Sequence, residues 1–368
     1  MCNFAPRTMA TLHIFNPEHD IALASNLSNF TSPHAGRQLR HDLGYLPAIW
    51  ADDDDFVLVD DVAFAQTAFS RLMHRPFPHF IDKSQLSIVR SALPLGSSKN
   101  CQLSIINSWG WDLALHAFLL RHGVTSVPSE SAIADIRELS HRRYAVGLLK
   151  ELTELMGSPL TGRSWEVASL EEVRALLSDH GRIVVKAPWS SSGRGIRFID
   201  GSLDDYQLRW MQNVIQRQGS VIVEVYCPKV KDFGMEFESD GEGNVRYLGL
   251  SLFHTQNGAY TGNIIASEEE KREMLSQYVP ISLLDTVQAE VCRSLGPLYL
   301  GHYAGPFGVD MMLVHNPQLS ILLNPCIEIN LRRTMGHVAL SLAHQLPSGR
   351  AMHIEFSDAT YKLRIKTL

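Results

Sequence analysis

Residues 328–336 read Glu-Ile-Asn-Leu-Arg-Arg-Thr-Met-Gly and close a strand-like run that begins with Leu-Ser-Ile-Leu-Leu at 319–323. A two-residue alternation puts Glu328 and Asn330 on one face and turns Ile327 and Ile329 into a core. Asp310, in Gly-Val-Asp-Met-Met (308–312), falls on the preceding strand, across the turn His315-Asn316-Pro317-Gln318. Three oxygen-bearing side chains on neighbouring strands suit a hard cation such as Mg2+, which takes a few carboxylates and completes its shell from substrate phosphates. Arg332 follows at once, where a guanidinium can absorb charge during phosphoryl transfer. An amphipathic edge strand with a solvated polar face explains Glu328 alone but not the whole run.

Upstream, Arg-Ile-Val-Val-Lys-Ala-Pro (182–188) is a strand ending at Lys186. A loop rich in Ser and Gly follows (Ser190, Ser191, Ser192, Gly193, Gly195), then a second strand, Ile196–Ile199. Such a backbone can approach phosphate oxygens, and Lys186 adds a point charge. The loop carries no Gly-Lys-Ser/Thr and leads into a strand, so it is neither a P-loop nor a dinucleotide fingerprint. Alone it reads equally well as a surface hairpin. In Val-Ile-Val-Glu-Val-Tyr (221–226), stopped by Pro228, the strand end can offer backbone groups to a flat base. Glu224 can accept a hydrogen bond from an exocyclic amine, and Asp232 lies close enough downstream for a ribose hydroxyl. Alone this is an ordinary strand end.

The first third alternates strand and helix signals: Thr-Leu-His-Ile-Phe (11–15), Phe-Val-Leu-Val-Asp-Asp (56–61) and Leu103–Asn107 as strands, with a helix over 112–123 ended by Gly123. Alternation of this kind predicts a mostly parallel sheet covered by helices. The loops Asn16-Pro17-Glu18-His19-Asp20 and Ser108-Trp109-Gly110-Trp111 would lie beyond its strand ends. Trp109 and Trp111 would cover the sheet or reach a ligand, and Asp20 would cap a helix. The acidic run Asp52–Asp55 reads as a solvated loop, and 125–140 as a connector. Beyond it, short turns join many strands, as in antiparallel hairpins.

The 368 residues exceed what one core usually supports. A formal charge of −6 argues against a general nucleic-acid binder. Five scattered cysteines without Cys-x-x-Cys fit a reducing, cytoplasmic setting, with Cys326 a small buried residue. No apolar run reaches transmembrane length, so no membrane partner is expected. Residues 1–8 read as an unstructured leader, or Met9 as the start.

The order of these elements resembles the ATP-grasp superfamily over about residues 130–340. Glu-Ile-Asn-Leu-Arg matches its acid-x-Asn-x-Arg signature, the loop after Lys186 its flexible phosphate loop, and 221–226 its adenine linker. The resemblance implies an α/β and α+β chain. A Rossmann-like pre-ATP-grasp domain (1–130) would precede a two-subdomain ATP-grasp domain (131–345), made of a flexible lid at about 160–227 and a metal-binding subdomain at 228–345; a C-terminal extension (346–368) would follow. It further implies that Lys186 contacts phosphates, that Ser191, Ser192 and Gly193 cover them, and that Glu224 and the Tyr226 backbone hold adenine, with Asp232 near the ribose. Asp310, Glu328 and Asn330 would hold Mg2+, or Mn2+ in its place, and Arg332 would stabilise the transferred phosphoryl group. Arg142 or Arg143 stands where the family has a lysine; a guanidinium still pairs phosphate, as a fork. The family's later phosphate lysine is replaced by a segment with His254, Tyr260 and Asn263, one of which would serve in its place or all of which are turn residues. The implied activity is an ATP- and Mg-dependent, ADP-forming ligase joining a carboxylate to an amine, both small molecules. The alternatives are a kinase on the same fold and a non-catalytic nucleotide-binding module. A homodimer is left open.

Overall fold

The structure is a computed structural model that describes residues 10–73, 75–86, 105–190, 195–256, 259–318 and 320–368. The chain divides into two compact units: one runs to Ile133 and takes in Met352–Thr367, the other spans Ala134–Ala351.

In the first unit four strands pair in parallel: β1 (Thr11–Ile14), β2 (Phe56–Leu58), β3 (His79–Ile81) and β4 (Ile105–Ser108), in the order β3-β2-β1-β4. The chain builds outward from β1 to β3 and then crosses to β1's other edge. The strand order therefore reverses between β1 and β4, the place where ligands of such sheets bind. The two loops expected at the strand ends meet there. Asn16 Nδ2 donates to the Gly110 carbonyl at 2.8 Å and to Asp112 Oδ2 at 3.2 Å. A Cβ on Gly110 would lie 2.6 Å from the His19 ring, so glycine lets the loops close on each other. Asp112 caps the helix Leu113–Arg121 through the N–H groups of Ala114 and Leu115. Trp109 is buried edge-on against Phe15, so it covers the sheet. The helix His19–Ser25 has no side-chain cap; Asp20 lies inside its first turn.

Asp55 is no solvated loop residue. It is buried and accepts hydrogen bonds from Thr11 N–H at 2.8 Å and Asp52 N–H at 3.0 Å, with His13 Nε2 at 3.0 Å. Burial alone would raise its carboxyl; the hydrogen bonds from His13 and the two backbone N–H groups outweigh that and hold it low. The connector 125–140 carries a helix, Glu130–Leu139, with Ile133, Ile136 and Leu139 buried at helical spacing. Beyond residue 346 lie two further strands, β15 (Arg350–Ser357) and β16 (Thr360–Thr367). Within the first unit, Asp42 of the helix His34–Leu43 accepts from the Tyr361 N–H of β16 at 2.7 Å.

The second unit holds two four-stranded antiparallel sheets. The smaller is β5 (Ser164–Val167), β8 (Val221–Val225), β6 (Arg182–Lys186) and β7 (Ile196–Asp200), in that order. Helices Leu170–His180 and Asp205–Gln218, each opened by a capping box, close its back over Val173, Leu177, Met211 and the inward residues of β6 and β8. The larger sheet is β10 (Val245–Ser251), β9 (Lys229–Ser239), β13 (Gly305–Asn316) and β14 (Ser320–Asn330). One face buries Phe237 and Phe307 beneath Tyr299 of the helix Ile281–Tyr299. The segment with His254, Tyr260 and Asn263 is a hairpin of β11 (Phe253–Gln256) and β12 (Ala259–Ile265), so these are strand residues, not turn residues.

Candidate active site

The register of the larger sheet sets two rows across β9, β13 and β14. Gly234, Asp310 and Glu328 are direct partners in one row; Glu236, Gly308 and Asn330 are partners in the next. Opposed residues share a face, so carboxylates and an amide stand beside glycines that leave them room. The register of β13 on β14 shifts between Asp310 and Met312, next to Pro325, which cannot donate to the ladder. The long hairpin arms still bring Asp310 opposite Glu328. Asn330 Nδ2 donates to Asp310 Oδ2 at 3.0 Å, and Arg332 donates to Asn330 Oδ1 at 3.0 Å.

Glu236 joins this group without any sequence motif. It is buried, with His337 Nδ1 3.0 Å from its Oε2. A Cβ on Gly336 would stand 1.8 Å from Glu236 Oε1, and one on Gly308 2.6 Å from Oε2. Its only signal in the sequence is the alternation Gly234-Met235-Glu236-Phe237, which sets an acid opposite two core residues.

Desolvation pushes the Asp310 carboxyl up to about 8; the charges of Glu328 and Glu236 add to this, while the Asn330 hydrogen bond and Arg332 oppose it. Crowded negative charge beside an amide oxygen is the donor chemistry a hard divalent cation takes. Asp310, Glu328 and Asn330 therefore fit Mg2+ as an open set. Among the described residues, no group of three or more His, Cys, Asp or Glu side chains is placed to hold a metal ion by itself.

Two cations connect this face to the smaller sheet. Lys186, buried at the end of β6, is 2.6 Å from Glu224 Oε1 on β8 and donates to the Ile327 carbonyl at 3.3 Å. Arg142, also buried, is 2.5 Å from Glu328 Oε1 and donates to Ser190 Oγ at 2.8 Å. Arg143, expected as its equal, turns away; its guanidinium pairs with Glu166 at 3.2 Å and its Nε meets His141 Nδ1 at 3.2 Å. Cys326 lies buried among these groups, and burial pushes its thiol up.

The linker departs from expectation in one respect. The Tyr226 N–H is spent on the Arg182 carbonyl at 3.1 Å, and the Arg182 guanidinium lies 3.7 Å over the Tyr226 ring. The Cys227 N–H, one residue on, has no acceptor among the described residues. Asp232 is tied to Lys229 at 2.6 Å and to Thr255 Oγ1 at 2.8 Å. Ser191, Ser192 and Gly193 lie outside the described residues.

No family model matches the sequence, and no curated protein sequence matches it. Solved structures do. The biotin carboxylase of Campylobacter jejuni, in complex with β-γ-ATP, is similar over 96% of this chain and 77% of its own, at 14% identity and TM-score 0.50. The ADP complex of N5-carboxyaminoimidazole synthetase from Staphylococcus aureus follows at 13% identity and TM-score 0.49, covering 97% and 85%. A putative ATP-grasp superfamily protein from Archaeoglobus fulgidus covers 98% and 99% at 15% identity and TM-score 0.44. At this identity the likeness is one of fold: this chain has the ATP-grasp fold.

Proposed function

We propose that the second unit binds Mg2+ and ATP, and that the chain is an ADP-forming ligase joining a carboxylate to an amine. The observation that carries this reading is the convergence of Arg142 and Lys186 on β14, one at Glu328 and the other at the Ile327 carbonyl. Cations for phosphate and oxygens for a metal thus share one place, as phosphoryl transfer requires.

In this reading Arg142 and Lys186 hold phosphate oxygens, joined by the backbone of 191–193. Glu224 accepts from the adenine amine. The Cys227 N–H, not that of Tyr226, faces the ring nitrogen, and Asp232 meets the ribose. Asp310, Glu328 and Asn330 hold Mg2+, which draws charge from the phosphates. A carboxylate oxygen of the substrate attacks the γ-phosphorus while the bond to the ADP oxygen breaks, leaving an acyl phosphate and ADP. The amine nitrogen then attacks the acyl carbon, phosphate leaves, and the nitrogen loses a proton. Arg332, held by Asn330, is placed to offset charge on the transferred group. No side-chain nucleophile is needed; alignment supplies much of the rate.

The test is a paired screen of amino acids and small carboxylates with Mg-ATP. ADP and phosphate should appear together only when an acid and an amine are both present. ADP with a stable phosphorylated product and no free phosphate would instead make the chain a kinase. Nucleotide binding with no turnover on any pair would make it a binding module.

A further inference from the structure

The first unit contains a cavity of about 760 Å³ that the nucleotide site does not use. It is walled by residues just past the strand ends: Asn16 and Glu18 after β1, Asp60 after β2, Lys83 after β3 and Arg121 at the end of the helix after β4. This is the reversal point of the strand order, where parallel sheets take their ligands, and the size is that of a small-molecule site.

Glu18 is one of the buried polar groups in this wall, at 8% exposure, with Asn16, Ser32 and Asp112. Arg40 donates to its Oε1 at 2.6 Å, but its Oε2 accepts no hydrogen bond among the described residues. A buried carboxylate oxygen without a donor is costly unless something supplies one. Burial raises the Glu18 carboxyl and Arg40 only partly offsets it. At the rim, Lys83 and Arg121 are exposed, and their side chains form no ion pair or hydrogen bond among the described residues. Phe30, Leu58 and Phe118 add apolar wall.

We propose that this cavity binds a small zwitterion of the amino-acid type, its ammonium donating to the Glu18 carboxylate once that group turns its unpaired oxygen to the cavity, its carboxylate meeting Lys83 and Arg121, and its apolar side chain lying on Phe30, Leu58 and Phe118. The binding stands by itself; that the zwitterion is one of the two molecules joined rests on the ligase reading above. A buried acid and rim cations divide the two ends of such a ligand, so each end can be tested alone.

The experiment is calorimetric titration of the full chain with the free apolar amino acids, each alongside its N-acetyl and amide form. At least one free amino acid should bind, and blocking either end should weaken it at least about tenfold. Glu18→Gln should weaken the free amino acid by a similar factor while leaving the N-acetyl form nearly unchanged. Lys83→Ala with Arg121→Ala should do the same for the carboxylate end and spare the amide. These two rim residues are exposed, so the double variant keeps the test open should Glu18→Gln fail to fold. The proposal is overturned by no binding of any free amino acid, by binding indifferent to both sets of variants, or by acetate binding as tightly as the zwitterion. Mg-ATP binding is measured on the same samples. Its loss with amino-acid binding intact would sink the ligase reading alone, and the reverse result would sink this proposal alone.

Discussion

Glu236 shows how much of the site depends on what its neighbours lack. Its carboxylate fits only because Gly308 and Gly336 have no side chain. Gly336→Ala should therefore cost about 1–3 kcal/mol through overpacking, read as a lower midpoint in urea unfolding. Adding Glu236→Ala should return part of that loss, because the clashing atom is gone; additive losses would show that the contact is not the cause. The Glu328–Gly336 run was legible because acid, amide and arginine sit at strand spacing in one unbroken segment. Glu236 was not, since a lone acid between Met235 and Phe237 gains its meaning only from Gly308 across the ladder. Arg142 and Arg143 were indistinguishable in sequence; the helix that opens between them sends one inward to Glu328 and the other to Glu166.

Elements read well where caps and alternation agreed, and poorly where pairing partners were distant. The helix Leu113–Arg121 was legible through its stop at Gly123, while its cap, Asp112, came only from the structure. Asp112→Ala removes two capped N–H groups and the Asn16 contact, so thermal unfolding should show a loss of about 1–2 kcal/mol; an unchanged midpoint would contradict the role given to it. Strands β15 and β16 carry no turn signal that names a partner, and the Asp42–Tyr361 hydrogen bond joins residues 319 apart. The turn between the helices Glu130–Leu139 and Arg143–Met156 holds His141, which is buried edge-on against Trp189 and accepts from the Arg143 N–H at 3.0 Å. Burial, aided by the nearby Arg143 charge, pulls its imidazole down to about 4 from an ordinary 6.5. The folded chain thus refuses a proton that the unfolded chain accepts. The stabilisation is complete above about pH 6.5 and drains away as pH falls toward 4, by roughly 3 kcal/mol at most. His141→Gln should flatten the stability profile across that window; a slope as steep as that of the unaltered chain would mean that other groups carry it.

At the scale of the whole chain, a formal charge of −6 does not prevent anion binding, because Arg142, Lys186 and Arg332 gather where the carboxylates do. No helix among the described residues is long and apolar enough to cross a membrane. The central claim is that one face of the β9-β13-β14 sheet holds a metal and that the two cations beside it hold phosphate. The direct measurement is ATP affinity with and without Mg2+, for the unaltered chain and for Glu328→Ala. Mg2+ should tighten ATP binding at least about tenfold in the unaltered chain, and Glu328→Ala should erase that gain. ATP binding that is indifferent to Mg2+, or a Mg2+ effect that survives Glu328→Ala, would contradict the site described here.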